Sequence, residues 1–354
     1  MKHLMAALTA SLAALCASGA AHADSASLLS QASAANAPRY QFATTLGAQI
    51  QATSDNLAFS VWWAPAGWTP QSGVIVTLHG HGSYAFDEFY LWQPYAAAKG
   101  YAVLALQWWF GGGEATSDYY TPQAMYPILA GLLANKSVST GTALLHGFSR
   151  GSANSYAVAA QDAQSGNRYF HMVLSVAGGA MSNYPPNQQI AAGNYGSQPF
   201  AGYQWVMYCG EKDPDPGING CPAMTAARDW VAKYGATFSL LIDDPSGDHG
   251  GFMTNSANVN TALAQFTPTP PTPASISDCL FNWAEAHYSQ YFAPHVGTSG
   301  TYQQYYYRYY PAKGNYVAVS SADNHVWVLG PLSGNAVTDV GTVSSYQGQA
   351  GCTR

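Results

Sequence analysis

Length, composition and charge indicate a globular protein with few charged groups and exclude several kinds of partner. The sequence has 354 residues, with 12 lysines and arginines against 18 acidic residues, and only 8% of its residues are charged. It contains no basic cluster, which argues against nucleic acid or an anionic membrane surface as a partner. The chain is too long for one small domain and long enough for a large core with an appended unit.

The first 23 residues have the features of an export signal. Met1-Lys2-His3 is followed by an apolar stretch over residues 4–17 and by small residues that end at Ala21-His22-Ala23. That order is typical of a signal peptide, with cleavage before Asp24. Lipid attachment at Cys16 is the weaker alternative, because the residue before it is not small. We expect a secreted protein, periplasmic or extracellular, with 331 residues, a formal charge near −7 and no membrane span.

Four cysteines remain in the predicted mature chain. An even number in an oxidising compartment predicts two disulfides, and four cysteines allow three pairings. Free buried thiols are the alternative. The predicted domain layout favours two bridges that each lie within one domain, Cys209–Cys221 and Cys279–Cys352.

Apolar β-rich runs alternate with helical stretches from Leu57 onward. Before them, residues 24–56 are rich in Ala, Ser and Gln and predict an irregular arm. Continuous Val/Ile/Leu runs separated by helices are typical of a parallel sheet covered on both faces. The predicted class for residues 24–266 is α/β, doubly wound and mostly parallel, with its site at the carboxyl ends of the strands. Strands are predicted at 57–63, 74–79, 101–108, 143–147, 172–177, 204–209 and 238–243, and helices at 86–99, 122–134, 152–161, 223–234 and 257–266.

A proline-rich segment separates this region from a tyrosine-rich C-terminal one. Residues 267–275 alternate proline and threonine, which predicts a stiff extended linker. Residues 276–354 hold ten of the 25 tyrosines and predict a small, mainly β module. It should have a helix over 278–291 and hairpins around 312–315 and 322–324. Its tyrosines would either stack on a polymer or simply serve as strand formers.

The G-x-S-x-G pentapeptide at residues 147–151 is the most informative motif. It reads Gly-Phe-Ser-Arg-Gly, follows a predicted buried strand and precedes a predicted helix. This setting is that of the nucleophile elbow, where glycines leave room for a tight turn that exposes the serine hydroxyl. Ser149 is therefore the predicted nucleophile, with a turn of small residues as the alternative.

A serine nucleophile needs a base, which lies late in the chain when the order is serine, acid, histidine. Only two histidines follow Ser149 before the linker. His171 stands at the start of a strand, at the wrong edge of the sheet. His249 lies in a glycine-rich loop after the last predicted strand, at the carboxyl edge, and is the predicted general base.

The acid that orients this base should lie in the loop after the preceding strand. There the pattern Gly-x-x-Asp predicts Asp213. Asp215 is the competitor, and Glu211 is a more distant one. A Cys209–Cys221 bridge would brace this loop.

The tetrahedral intermediate of acyl transfer also needs two hydrogen-bond donors for its oxyanion. One predicted donor is the backbone N–H of Arg150, directly after the nucleophile. The other is the backbone N–H of His81 or Gly82, in an H-G-x-G turn behind a buried strand. A metal bound by His79 and His81 is the rival interpretation, and it lacks further ligands at usual spacing.

These motifs together make residues 57–266 resemble secreted α/β-hydrolases of the esterase type. Dienelactone hydrolases, polyhydroxybutyrate depolymerases and feruloyl esterases are the similar families. The resemblance implies the α/β-hydrolase fold and a serine esterase without a cofactor. Arg150 departs from it, because many relatives have a small or apolar residue there. The C-terminal residues resemble an aromatic-rich module of bacterial secreted proteins, and this resemblance implies no activity.

The predicted function is hydrolysis of a carboxylic ester through an acyl-enzyme on Ser149. Few residues separate Gly178 from Gln204, too few for a large lid, so the cleft should be open to a polyester or a polysaccharide-linked ester. Trp108 and Trp109 end a predicted strand and are predicted to contact the substrate, although capping the core is the alternative. A secreted peptidase of the same fold and a non-catalytic binding protein are the alternative functions.

Overall fold

A computed structural model describes residues 24–268, 273–292, 298–320, 322–350 and 352. The predicted signal peptide and the centre of the predicted linker, residues 269–272, lie outside the described residues. None of the described helices is both long and apolar enough to cross a membrane.

Residues 24–56 are ordered, so the prediction of an irregular arm was wrong. They form helices α1 (Ser25–Ala35) and α2 (Ala37–Thr45) and strand β1 (Gln49–Ala52). The Asp24 side chain accepts a hydrogen bond from the Ser27 N–H and caps α1. The Ala-rich composition that suggested an arm also has the highest helix propensity. Leu28 and Ala32 of α1 are fully buried in the main core, which holds the helix in place.

The main sheet has eight strands in the order β1-β2-β4-β3-β5-β6-β7-β8. The β1–β2 and β2–β4 pairs are antiparallel, and every other pair is parallel. The predicted α/β class with a mostly parallel sheet is therefore confirmed. The strands after β1 are β2 (Phe59–Trp63), β3 (Val74–Leu78), β4 (Ala102–Leu106), β5 (Ala143–Phe148), β6 (Phe170–Val176), β7 (Gln204–Gly210) and β8 (Thr237–Asp244).

Helices cover this sheet and account for its continuous apolar strands. Every residue of β3 and β4 is buried, as in a sheet covered on both faces. The short helices α6 and α8 were absent from the sequence prediction, and the others lie within a few residues of it. The helices are α3 (Ala85–Lys99), α4 (Pro122–Asn135), α5 (Arg150–Ser165), α6 (Pro185–Ala191), α7 (Cys221–Lys233), α8 (Gly251–Thr254) and α9 (Ser256–Leu263).

The C-terminal residues form a second, antiparallel sheet with its own hydrophobic cluster. Its strand order is β13-β12-β11-β10-β9, and both predicted hairpins are present. The linker prediction was too long, because α10 begins at Pro273. The elements are α10 (Pro273–His287), β9 (Thr298–Tyr302), β10 (Tyr305–Tyr310), β11 (Asn315–Ser320), β12 (His325–Leu329), β13 (Thr338–Thr342) and α11 (Val343–Ala350).

Both predicted disulfides are present, one beside each sheet. Cys209–Cys221 joins the end of β7 to the start of α7, and Cys279–Cys352 joins α10 to a cysteine two residues beyond the end of α11. The second bridge closes a separation of 73 residues around a small cluster built on Leu280, Phe281 and Tyr310. Such a disulfide contributes much to the stability of a unit of this size, because its hydrophobic core is small.

Candidate active site

Ser149 lies at the sharp turn between β5 and α5, with φ 54° and ψ −117°. A residue with a side chain rarely adopts this conformation, and holding it costs on the order of 1–3 kcal/mol. A Cβ on Gly147 would lie 2.5 Å from the carbonyl oxygen of Gly151, and one on Gly151 would lie 2.2 Å from that of Leu78. The two glycines are therefore required by close backbone approach. The turn is held by packing and presents the half-buried Ser149 hydroxyl at the carboxyl end of β5.

His249 reaches Ser149 from the loop after β8. Its Nε2 lies 2.9 Å from the Ser149 Oγ, and its ring packs on Phe148 with centroids 5.1 Å apart. His171 lies near the beginning of β6, at the opposite edge of the sheet, as the sequence predicted. The structure thus brings together the predicted nucleophile and the predicted base, which are 100 residues apart.

Asp213 completes a chain of hydrogen bonds from the loop after β7. Its Oδ2 lies 2.7 Å from Nδ1 of His249, and its Oδ1 accepts the backbone N–H of Asp215 at 2.9 Å. The Asp213 side chain is fully buried, whereas Asp215 is exposed. Since Nδ1–H donates to the carboxylate, Nε2 is left to accept the serine proton.

Backbone hydrogen bonds join the loop after β7, which carries Asp213, to the loop after β8, which carries His249. The N–H of Lys212 donates to the carbonyl of Gly247, and that of Glu211 donates to the carbonyl of Asp244. The Asp244 carboxylate accepts hydrogen bonds from Ser246 and from the Asn258 side chain. Asp244 therefore caps the loop that carries His249, and its side chain makes no hydrogen bond to His249.

The H-G-x-G turn lies beside the elbow. A Cβ on Gly80 would lie 2.9 Å from the Phe148 ring and 3.5 Å from the Ser149 Cβ. The backbone N–H groups of His81 and Arg150 have no hydrogen-bond partner within the described part of the chain. By contrast, the N–H of Gly82 donates to the Tyr119 hydroxyl at 2.9 Å. Of the two predicted donors in the turn, His81 is the one whose N–H is free.

His79 is hydrogen-bonded beneath the H-G-x-G turn through both ring nitrogens, which leaves neither nitrogen available to a metal. Its Nδ1–H donates to the carbonyl of Gly80 at 2.8 Å, and its Nε2 accepts the backbone N–H of Trp108 at 3.3 Å. Both ring nitrogens are occupied, and burial lowers the pKa of His79 to about 4. Two of the cysteines, Cys209 and Cys221, also lie beside Asp243, but their sulfurs form a disulfide rather than thiolate ligands.

Trp108 and Trp109 are placed differently from the prediction that they contact the substrate. Trp108 is 1% exposed, and its indole N–H donates to the carbonyl of His79 at 3.0 Å. It supports the turn from below, so the core-capping alternative describes it and the substrate-contact prediction was wrong. Trp109 is half-buried, donates to the carbonyls of Gly112 and Gly113, and does not line the cavity at Ser149.

A cavity of about 270 Å³ opens beside Ser149. One wall comes from α5, another from residues 178–184, and a third from the loop braced by the Cys209–Cys221 disulfide. Its lining mixes apolar and polar side chains, which suits an acyl or alcohol group of modest size. The described lining residues are Thr116, Ser149, Arg150, Ala153, Asn154, Gly178, Gly179, Met181, Tyr184, Ile218 and Asn219.

Sequence reasoning missed Tyr119, Asn154 and Tyr184. Tyr119 is buried, packs on Trp108 with ring centroids 4.8 Å apart and planes tilted by 53°, and accepts the Gly82 N–H with its hydroxyl. The Tyr184 hydroxyl donates to Asn154 at 2.6 Å in the cavity wall. These residues belong to loops and to a helix face without a recognisable motif. Only their position close to the carboxyl ends of β4–β6 offered a signal.

Several solved structures with a similar fold are esterases, at low sequence identity. An esterase from Rhizomucor miehei is 13% identical over 67% of this chain and 89% of its own, with a TM-score of 0.48. A Klebsiella pneumoniae protein assigned as a dienelactone hydrolase is 13% identical over 62% of this chain and 98% of its own, with a TM-score of 0.46. The esterase Est2 from Thermogutta terrifontis is 13% identical over 63% and 96%, with a TM-score of 0.44. No family profile and no curated protein sequence matches the chain.

The architecture of residues 24–266 is that of an α/β-hydrolase. This assignment depends on the chain itself: the strand order, the antiparallel start of the sheet, and a serine on a strained turn between a central parallel strand and a helix. The C-terminal sheet is a separate antiparallel unit with one helix on either side of it in sequence.

Proposed function

We propose that this protein is a serine hydrolase that cleaves carboxylic esters. The observation that supports the proposal is the chain of contacts from Ser149 Oγ to His249 Nε2 at 2.9 Å and from His249 Nδ1 to Asp213 Oδ2 at 2.7 Å. Acyl transfer requires a serine hydroxyl within hydrogen-bond reach of an imidazole whose other nitrogen donates to a buried carboxylate. The order of these three residues in the sequence and the distances between their side chains both support the proposal.

In the proposed reaction, Ser149 Oγ attacks the ester carbonyl while His249 Nε2 takes its proton. Asp213 holds the Nδ1–H tautomer and stabilises the imidazolium. The negative charge that develops on the carbonyl oxygen is held by the N–H groups of Arg150 and His81. The imidazolium then gives its proton to the departing alcohol. Water, deprotonated by His249, attacks the acyl-enzyme, and the acid is released with Ser149 restored.

The substrate class follows from the cavity and from the expected location. A cavity of about 270 Å³ beside Ser149 takes one end of an ester, and the rest of a larger molecule would extend into solvent. We propose a secreted enzyme, since the N-terminal sequence has the pattern of an export signal and both disulfides suit an oxidising compartment. An ester on a polymer is compatible with such a site.

The experiment that tests the proposal compares the wild-type protein with Ser149→Ala on 4-nitrophenyl acetate and butyrate. The kcat of Ser149→Ala should be lower than that of the wild type by a factor of about 10⁶, by analogy with other serine hydrolases that lack their nucleophile. The matched control is His171→Ala, which lies far from the site and should leave kcat unchanged. Equal turnover by wild type and Ser149→Ala would contradict the proposal. Cleavage of peptides with negligible cleavage of esters would favour the peptidase alternative.

A further inference from the structure

Arg150, the residue directly after the nucleophile, turns its side chain back toward the oxyanion turn. One guanidinium nitrogen, Nη1, donates to Nδ1 of His81 at 3.1 Å and to the backbone carbonyl of Glu114 at 3.1 Å. The guanidinium lies over the Tyr119 ring, 4.0 Å from its centroid. The side chain thus spans the elbow, the turn at residues 80–82 and the loop at 114–119.

The hydrogen-bond roles in this cluster are fixed by chemistry. A guanidinium only donates, so Nδ1 of His81 is the acceptor and carries no proton. The Tyr119 hydroxyl accepts the Gly82 N–H at 2.9 Å and lies 3.3 Å from the same Nδ1, whose single lone pair it shares with the closer Arg150 N–H. The Nε2–H of His81 then faces the Glu114 carboxylate at 3.6 Å. Together these contacts hold the tip of the turn at residues 81–82.

We propose that the Arg150 side chain is the positioning residue of the oxyanion hole, holding His81 so that its backbone N–H faces the same point as the N–H of Arg150. This inference rests on the proposed function. One residue then serves both halves of the hole, with its backbone N–H as one donor and its side chain as the brace for the other. This explains a long, charged residue at a motif position where a small one would suffice.

The contacts distinguish this role from a simple charge effect. Within the described residues, no carboxylate pairs with Arg150, and the Glu114 carboxylate faces His81 instead. The guanidinium is therefore held by two neutral acceptors and an aromatic face. A lysine would keep the charge but would not reproduce the guanidinium contact with the Tyr119 ring together with two directed hydrogen bonds.

The test measures kcat and KM for 4-nitrophenyl butyrate in wild type, Arg150→Lys and Arg150→Met. Loss of one oxyanion donor costs about 10²–10³ in kcat, so a displaced donor should cost about 10–10² with KM nearly unchanged. Lysine should rescue little of this. The control is Arg228→Met, which should behave as wild type, because Arg228 is a partly exposed residue of α7 that pairs with its neighbour Asp229. Melting curves verify that each variant is folded.

Two further measurements separate positioning from a merely structural role. A trifluoromethyl ketone, which forms a tetrahedral adduct, should bind Arg150→Met more weakly by the factor lost in kcat/KM, while the product carboxylate should bind equally well. The effects of Arg150→Met and His81→Ala should be non-additive, because the first acts through the second. Additive effects would overturn the inference.

The outcomes distinguish this inference from the proposed function. A wild-type enzyme with no esterase activity would contradict the function itself. An active wild type with unchanged kcat in Arg150→Met would overturn only the positioning role. A rise in KM confined to anionic substrates, with kcat unchanged, would also overturn it, because Arg150 would then bind the substrate directly.

Discussion

His249 Nδ1 lies 2.7 Å from Oδ2 of Asp213, and this contact directs the opposite ring nitrogen to the Ser149 hydroxyl. The other Asp213 oxygen accepts the N–H of Asp215, so the carboxylate is fixed on both sides. The contact joins two loops that are 36 residues apart in sequence. The orientation of the His249 ring therefore depends on the conformation of the loop that carries Asp213.

Asp213→Asn should lower kcat by about 10²–10⁴, because the amide nitrogen can donate to Nδ1 and favour the wrong tautomer of His249. The matched control is Asp215→Asn, two residues along the same loop and exposed. Initial rates on a 4-nitrophenyl ester provide the measurement. Equal losses in the two variants would mean that the loop, and not the Asp213 carboxylate, orients the base.

The Cys209–Cys221 disulfide should support activity as well as stability, because it closes the loop that carries Asp213. Its removal by a double Cys→Ser substitution should cost about 2–3 kcal/mol of unfolding free energy and should also lower kcat. The matched control removes Cys279–Cys352, which lies beside the other sheet and should leave kcat on a small ester unchanged. Denaturant unfolding and rate measurements read out both effects. A normal kcat without the first bridge would contradict its supporting role.

His79 should remain neutral far below its usual range, because burial lowers its pKa from 6.5 to about 4. Protonation would also displace the Trp108 N–H from Nε2. With the folded pKa below the unfolded one, its stabilising contribution is full above pH 6.5 and is lost as the pH falls toward 4, about 3 kcal/mol in all. The measurement is the NMR titration of the His79 ring. A midpoint near 6.5 would contradict this account.

Asp162 lies 0% exposed and receives four hydrogen bonds, from the hydroxyls of Tyr126 and Tyr203 and the N–H groups of Tyr169 and Phe170. All four partners act as donors. In Asp162→Asn, the amide N–H₂ would face two of these four donors and could not accept their hydrogen bonds. This substitution should therefore lower the free energy of unfolding by about 2–4 kcal/mol at pH 7. Denaturant unfolding measures the loss. The control is the exposed Asp229→Asn, and similar small losses in both variants would contradict the account.

Burial raises the pKa of Asp162 to about 6, so its effect on the pH dependence of stability is opposite to that of His79. With the folded pKa above the unfolded one, its contribution is full below pH 3.8 and is lost as the pH rises through 6. The pH range in which the His79 contribution changes overlaps the range in which the Asp162 contribution changes. For this reason the ring titration, rather than the overall stability curve, isolates His79.

Patterns that are local in sequence were sufficient for much of the fold and for three residues of the site. Apolar runs predicted the strands from β2 to β8, and the order of Ser149, Asp213 and His249 with their loops predicted which side chains meet. Each of these signals has a direct physical cause: strand burial, a turn without Cβ atoms, and loops at one edge of the sheet.

Features that depend on tertiary contacts were not accessible in this way. The helices α1 and α2 looked irregular because their buried face is narrow and only Leu28 and a few small residues mark it. The prediction for Trp108 was wrong because a side chain at the end of a strand can point either to solvent or under the neighbouring turn. Only the tertiary packing determines which of the two orientations is adopted. Tyr119 was missed because its partner, the Gly82 N–H, lies 37 residues away.

The most direct test of the central claim is to treat the protein with a fluorophosphonate and identify the modified residue by mass spectrometry. Phosphonylation needs an activated serine, and we predict a single adduct on Ser149 that is absent in Ser149→Ala and formed far more slowly in His249→Ala. The rate of phosphonylation of Ser149 should be the same in His171→Ala as in the wild type. No adduct on Ser149 of the folded wild-type protein, or an equal rate in His249→Ala, would contradict the account.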